Sequence, residues 1–487
     1  MTAPLSTAPR QRVSARAVAM LAGALALAAA DQTIVGAVAP DLKVQLGVDN
    51  TRIGLLVTVT YLVAAVGTIP FGILADRTNR VRLLALCALE WSASITLAGF
   101  ADSYSMLLVA QLALGAGVGA AAPLVASLAG DTFPPALRGR ALSFILAGEF
   151  AGAASGLLIA GEIAAFAPWR FSFWALAAVG PLFAITLVML LAEPARGAQV
   201  ASGTPAATAA PDSPSTGETS YPDTPHETKQ THHSLAASIQ AAGIQPRARL
   251  VLHEDPTGKP LLWAIRYVLA VPTNVVIIVS SALCYFYVAG VQTFAIIYIR
   301  GRFDASQQLA TALLVFIGIG VIVGMLVTGH LSDRLIARGH LAARVSVGAV
   351  CFVVAIAAFA PGFTVTSLAL ALPLLFIGAA GLGGLNPPLD AARLDVVHFR
   401  LWGRAESVRA MCQNLIRASA PLIFGWLSVI LSSPDEVHDA TQGGGGIGLG
   451  RAFLVLLGLF AVAAAVLTFA RRAYLRDVAT ATASEQV

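Results

Sequence analysis

The chain has 487 residues, of which 57% are apolar and only 12% charged, where soluble proteins carry roughly 25% charged residues. That supply cannot coat the about two to four soluble domains such a length would make, and four cysteines exclude a disulfide scaffold. Composition makes this an integral membrane protein, and its formal net charge of +5 is a matter of topology rather than of nucleic-acid binding.

A membrane-spanning helix needs about 20 mostly apolar residues. Twelve such runs follow one another: 16–40, 52–75, 83–101, 105–130, 140–164 and 171–192, then 272–299, 308–331, 344–361, 364–389, 405–431 and 449–470. Alternating apolar and polar runs are absent, which argues against an outer-membrane barrel. The first run begins like a signal peptide, with Arg10, Arg12 and Arg16 ahead of an Ala-rich stretch at Ala26–Ala30. It continues past Asp31 to Ala39, too long for a cleaved signal. Residues 203–231 are rich in Pro, Thr, Ser and Ala and predict a flexible polar linker. The segment 261–271, with Arg266 among apolar residues, predicts an interfacial helix leading into the seventh span, or an overlong seventh span. The expected organisation is a tail at 1–15, a six-helix bundle at 16–192, a disordered linker at 193–260, a second six-helix bundle at 261–471 and a tail at 472–487.

Of the 31 Lys and Arg residues, 23 fall on the side of the termini, six on the other side and two, Arg409 and Arg417, within a span. By the positive-inside rule both termini are expected in the cytoplasm. The bases are 28 Arg and 3 Lys; with the abundance of Ala, this suggests a GC-rich bacterial source and hence the bacterial cytoplasmic membrane.

The two halves share a repeat. Gly72, Asp76 and Arg77, followed by Arg80, close the second span; Gly329, Asp333 and Arg334, followed by Arg338, close the eighth, 257 residues later. Asp131 ends span four and Asp390 falls in span ten, 259 residues on. Internal repeats of this kind are typical of secondary transporters. The G-x3-D-R-x2-R pattern resembles motif A of the major facilitator superfamily, and the twelve spans, the long central linker and the second copy fit it over nearly the whole chain. Asp31-Gln32-Thr33-Ile34-Val35, followed by Pro40, resembles the first-span motif of its drug/proton antiporter branch. The segment from Asp131 to Arg140 is similar to exporter and spinster-like lipid transporter branches. Two positions depart from the antiporter pattern: Gln111 stands where span four often has Arg, and Ser155 stands where the fifth-span motif has Pro. The resemblance implies an all-α membrane fold, two six-helix bundles related by a pseudo-two-fold axis, that alternates access to a central cavity.

Charges inside a bilayer cost about 2.5–3.5 kcal/mol on insertion scales and mark functional positions. Asp31 is a candidate proton-titrating carboxylate, with a structural contact to Gln32 or Thr33 as its other reading. Glu149 precedes Gly152 and Gly156 on one helix face and is a second candidate for coupling, or for a buried ion pair. Arg417 needs a counter-charge, and pairing with Asp31 or Glu149 is expected, broken when that acid is protonated. Arg409 and Gln413 share its face, and Arg409 alternatively snorkels to the interface. Gln32, Thr33, Arg409 and Gln413, with the stripe Tyr287, Phe294 and Tyr298, are candidate cavity residues; the stripe equally suits packing. Glu90 and Glu162 are weaker candidates. Asp76, Arg77, Arg80 and Asp131, mirrored by Asp333, Arg334, Arg338 and Asp390, are expected to form a gate whose ion pairs hold the halves together, or else only to set topology.

No G-x4-G-K-[ST] occurs, because Gly258-Lys259 is followed by Pro260, and no H-E-x2-H occurs either. Cys87, Cys284, Cys351 and Cys412 all fall in spans as small apolar residues. No cofactor, metal, nucleic-acid partner or enzymatic activity is expected, and a monomer is the default. The expected function is proton-coupled efflux, by antiport, of a lipophilic or amphiphilic small molecule or a lipid. Its rivals are a proton symporter importing an organic acid or sugar, and a non-transporting receptor or scaffold.

Overall fold

The computed structural model describes residues 15–133, 135–194, 239, 241–254, 256, 259–398, 401–433 and 446–485. All regular structure among them is helical. The first half holds α1 (Ala15–Leu46), α2 (Asn50–Arg77), α3 (Arg80–Gly99), α4 (Tyr104–Val118), α5 (Ala121–Thr132), α6 (Pro135–Phe166), α7 (Arg170–Ala177) and α8 (Val179–Leu190). The second holds α9 (Leu261–Ala270), α10 (Pro272–Phe303), α11 (Gln307–Ala337), α12 (Ala343–Thr364), α13 (Leu368–Val396), α14 (Trp402–Ile430) and α15 (Gly446–Glu485). α4 and α5 form one span broken at 119–120, and α7 and α8 another broken at Ala178. Eleven spans are recognisable by length and apolar composition among the described residues. The twelfth, α14, is the one that carries Arg409, Gln413 and Arg417.

Short polar residues start several spans by capping orphan amides. Asp49 accepts from the Arg52 N–H at 2.9 Å, Asn79 from Arg82 at 2.8 Å, Ser103 from Met106 at 3.3 Å and Ser306 from Leu309 at 3.3 Å. α9 is a separate helix, set off from α10 by extended backbone at Val271.

Small residues set the closest packing. α1 and α6 run parallel, with Gly148, Gly152 and Gly156 seated on Ala22, Ala26 and Ala30. A Cβ at Gly152 would collide with the backbone of Ala26, which cannot retreat as a flexible side chain would. Gly152→Val is therefore expected to destabilise the first bundle by about 1–3 kcal/mol, as overpacking does. Gly318→Ala, with nothing within 4 Å of the added methyl, is the matched control; apparent melting temperatures in detergent read both.

The halves meet through α1 with α10, α2 with α14 and α6 with α11. Gln307 donates to the Ala37 carbonyl at 3.0 Å, Asn50 to Ser428 at 3.0 Å, and the Leu422 N–H to Thr58 at 3.1 Å; Arg300 and Asp41 lie 3.7 Å apart. Gly54 packs on Pro421, Gly425 on Asn50 and Gly161 on Thr311. These described contacts all lie in the part of the spans remote from the termini.

Part of the expected linker is ordered. Arg247 pairs with Asp477 at 2.6 Å, and its N–H bonds Thr480 at 2.8 Å; the Leu252 N–H bonds Ser484 at 2.9 Å. These partners sit on α15, whose 40 residues make about 60 Å of helix at 1.5 Å per residue, twice the hydrocarbon thickness of about 30 Å. The C-terminal tail expected from 472 thus continues the last span as helix to Glu485, and the linker's end is latched to it.

Candidate functional site

Arg417 of α14 projects from the second half toward the first. Its guanidinium lies 4.9 Å from the centroid of the Tyr61 ring on α2 and donates to the Tyr61 hydroxyl at 3.4 Å. A cation over an aromatic face is favourable where water is scarce. Glu149 of α6 and Tyr285 of α10 act on Arg417 electrostatically. Both Arg417 and Glu149 are partly exposed, and Arg417 reaches from the second half to Tyr61 of the first. No ion pair joins Arg417 to Asp31 or Glu149 among the described residues, which corrects the expected pairing. Arg417 is held by an aromatic ring, with a carboxylate in its field but not in its grip.

One turn along α14 and beyond, Arg409 donates to Gln413 at 2.8 Å and lies 3.9 Å from Asp390 of α13. Gln413 is buried, and its Nε2 has no acceptor. Asp390, Arg409 and Arg417 all act on Tyr285, so these side chains form one polar strip on the second half. Tyr61 and Tyr285 were not among the sequence candidates. Tyr285 is two residues from Tyr287 and therefore about 200° round the helix.

Tyr287, Phe294 and Tyr298 do not line that space. They are buried, and the Tyr287 and Tyr298 hydroxyls donate to the Phe453 and Phe363 carbonyls, both at 3.2 Å. Tyr287 packs on Phe359, Phe424 and Phe460. Their stripe faces α12 and α15, inside the second bundle, where an aromatic body is buried and its polar end finds a carbonyl.

Asp31 is 2% exposed and its Oδ1 has no hydrogen-bond partner. Gln32 donates to Ala28 at 3.2 Å, and Thr33 donates to Ala30 at 2.8 Å and across to Ala153 of α6 at 3.3 Å. Neither serves Asp31. The charged side chain acting on Asp31 is Glu90 of α3, whose Oε1 accepts from Ser94 at 2.7 Å and whose Oε2 is unpartnered. Glu149 stands level with residue 23 in the α1–α6 register, eight residues from Asp31 and so about 12 Å along the axis. Glu162 is exposed. Gln111 accepts from Thr60 at 2.7 Å, tying α4 to α2.

Among the described residues, each half carries one buried ion-pair cluster near the expected gate positions. Arg80, 2% exposed, bonds Asp131 at 2.5 Å, Glu193 at 2.8 Å, Ser127 at 3.0 Å and the Pro194 carbonyl at 2.9 Å. Burial alone would raise the Glu193 carboxyl, but hydrogen bonds from the Val81 N–H and Arg80 outweigh it and hold it below the ordinary value. Its contribution is therefore present above the ordinary glutamate range and is lost as pH falls through the depressed value. In the second half Arg344 bonds Asp395, which also accepts from the Tyr474 hydroxyl at 2.5 Å; Asp333 stands 3.9 Å away. Arg80–Asp131 and Arg344–Asp395 are each 51 residues apart and are offset by 264, so Asp395 and Arg344 take the places expected for Asp390 and Arg338. The stretch from the D-R motif to the stapling Arg is seven residues longer in the second half, Arg334 to Arg344 against Arg77 to Arg80, and it turns at Gly339 with φ +89°. Arg77, Arg334 and Arg338 are exposed, and Gly329 is partly buried. Gly72 lies within α2, and the side chains of Asp76, Arg138 and Arg140 lie outside the described residues.

The family model for the Major Facilitator Superfamily matches residues 21–421. The probable 4-methylmuconolactone transporter of Cupriavidus pinatubonensis is 34% identical over 139 residues, 28% of this chain and 32% of that protein. The 4-hydroxybenzoate transporter PcaK of Pseudomonas putida is 27% identical over 167 residues, 34% of this chain and 37% of that protein. Such matches span about a third of those relatives; others include a probable fungal efflux pump and a spinster homolog. In fold, the chain is similar to a bacterial homolog of the human lysosomal transporter spinster, solved inward-facing and occupied. The TM-score is 0.69 at 18% identity, over 94% of this chain and 97% of that one. The twelve-span, two-bundle architecture and the family match agree: the chain belongs to the Major Facilitator Superfamily and is a multi-pass membrane transporter, not an enzyme.

Proposed function

We propose that this transporter carries a small organic carboxylate with an apolar body, and takes it up together with protons. One observation supports the substrate class above all: Arg417 faces the space between the halves with a tyrosine as its only hydrogen-bond partner among the described residues. A guanidinium keeps its charge and matches a carboxylate in a two-point fork. Tyr61 and Tyr285 suit a ring or alkyl body beside it. The relative named for 4-hydroxybenzoate transport agrees with this class.

The coupling sense follows from electrostatics. With the termini in the cytoplasm, as the Lys and Arg bias indicates, a membrane potential negative inside opposes anion entry by about 2.3 kcal/mol per charge per 100 mV. Export of the same anion would run with the potential and need no proton. An acid such as Asp31 in the first bundle is useful for import, where each proton carried cancels a charge. Antiport efflux of an uncharged lipophile, the reading that the Asp31–Pro40 motif favours, is the rival.

Proteoliposomes separate the two. Benzoate-type acids are expected to accumulate inside when the outside is acidified, with proton entry that Asp31→Asn abolishes. Proton exit evoked by lipophilic neutral compounds, with no response to carboxylates, would overturn the proposal.

A further inference from the structure

Arg417 accounts for one end of a carboxylate substrate, and the helix that carries it offers a second polar group. Asn414 lies one turn earlier on α14, the thirteenth of its 29 residues, and so near the middle of the span. Its side chain is exposed, and no hydrogen bond or ion pair engages its amide among the described residues. An amide left unpartnered in hydrocarbon is costly, so the direction in which Asn414 points decides what it can do.

Packing further along the helix gives that direction. Pro421 seats on Gly54 of α2 and Gly425 on Asn50, and the Leu422 N–H donates to Thr58. At 3.6 residues per turn, Asn414 lies within about 20° of both Pro421 and Gly425 round the helix. It therefore belongs to the stripe of α14 that meets α2. The two helices run antiparallel, and the register of those two pairs places Asn414 opposite Tyr61. There α2 leaves its close packing: six of the eight residues from Ile53 to Thr60 are buried, and none of the described ones from Tyr61 to Arg77 is. Asn414 is thus turned toward the first half at the level where the halves separate, beside the Arg417–Tyr61 contact. Its neighbour Gln413, about 100° round the helix, is buried with its Oε1 on Arg409 at 2.8 Å. Of the two adjacent amides, Asn414 is the one a solute reaches.

We propose that Asn414 is a specificity-determining residue of the substrate site, whose amide exchanges hydrogen bonds with a hydroxyl on the body of the carboxylate held by Arg417. A primary amide both donates and accepts, as a hydroxyl does, so the pair can satisfy both partners. Residues three apart on one helix have Cβ atoms about 5–6 Å apart. The hydroxyl therefore lies across the body from the carboxylate, on the side of the chain termini. The substrate class narrows from carboxylates with an apolar body to those that carry one hydroxyl at the far end of it. This rests on the carboxylate reading for the Arg417 end of the substrate.

Isothermal titration of the full chain in detergent tests it, with benzoate and with the same acid carrying a hydroxyl para to the carboxylate. Wild type is expected to bind the hydroxy acid about three- to tenfold more tightly, as one neutral hydrogen bond allows. Asn414→Leu, of similar size but without the amide, is expected to keep wild-type affinity for benzoate and to lose the preference. Asn414→Ala, which adds no bulk, should do the same. Benzoate binding with no hydroxyl preference in wild type, or a preference that survives both variants, overturns the proposal and leaves the carboxylate reading standing. Equal weakening of both acids in the variants assigns Asn414 to packing and overturns it too. If wild type binds neither acid, the carboxylate reading falls and the proposal with it. A labelling experiment checks the geometry without relying on affinity. Asn414→Cys in inside-out vesicles is expected to react with a membrane-impermeant maleimide above the wild-type background, and more slowly with the hydroxy acid present. Reaction only with a lipid-soluble maleimide would put Asn414 on the lipid face and overturn the proposal.

Discussion

Arg417→Ala is expected to weaken binding of a benzoate-type carboxylate by about 30- to 1,000-fold. Truncating one partner of a desolvated, hydrogen-bonded charge pair costs about 2–5 kcal/mol, and each 1.4 kcal/mol is about tenfold; the lower part of that range applies because Arg417 is partly exposed. Arg417→Lys keeps the charge but loses the fork and should fall in between. Tyr61→Phe removes only the hydroxyl at 3.4 Å and leaves the ring under the cation, so it should cost less than about tenfold, in line with a net hydrogen bond of about 0.5–1.5 kcal/mol. The control that gives the result meaning is the neutral amide of the same acid. It fills the same volume without a charge, so wild type and Arg417→Ala should bind it alike. Isothermal titration of the purified protein in detergent reads all of these. Equal losses for acid and amide would assign Arg417 to packing, and a dissociation constant for the acid within about threefold of wild type would remove it from the substrate site.

Much of the fold was written in the sequence because the bilayer is a demanding solvent. Helix must satisfy every backbone group in lipid, so apolar length alone locates spans, and the polar caps at Asp49, Asn79, Ser103 and Ser306 fall between those runs. What the sequence conveys poorly is rotation about a helix axis. Tyr287 and Tyr285 are equally plausible on paper; one is in the aromatic core with Phe359 and Phe460, and the other sees Arg417. The repeat was legible as a repeat but misaligned past Asp333. The motif keeps the offset of 257, seven residues are added between it and Arg344, and a chance acid at Asp390 concealed the slip to 264. The linker's end looked structureless because its anchors, Asp477, Thr480 and Ser484, lie more than 200 residues away.

The corrected register changes what the charged ends of the spans should do when broken. Arg344 is 4% exposed and Asp395 is fully buried, and the Tyr474 hydroxyl completes the cluster from α15. Arg344→Met removes the cation bonded to that buried carboxylate, and removing one partner of such a pair costs about 3–5 kcal/mol. Arg344→Met combined with Asp395→Leu removes both charges and should recover most of that loss, because a well-packed apolar pair is often as stable as a buried ion pair; adding Tyr474→Phe removes the hydroxyl left without its acceptor. The equivalent break in the first half, Arg80→Met, should cost less, since Asp131 and Glu193 are 21% and 25% exposed and water can screen the charges left behind. The expected order of apparent melting temperature is wild type, then the double variant, then Arg80→Met, then Arg344→Met. A gate between the halves predicts something else. Breaking it would leave stability nearly intact and change which side of the membrane reaches the central space, seen as altered labelling of a cysteine placed at Tyr285. Because Arg80, Asp131 and Glu193 all belong to one half and Arg344, Asp395 and Tyr474 to the other, each cluster rides within its own bundle as the halves rock. Stability should therefore fall while the labelling pattern of the folded fraction stays that of wild type. The opposite outcome, intact stability with shifted labelling, would return these residues to the gate.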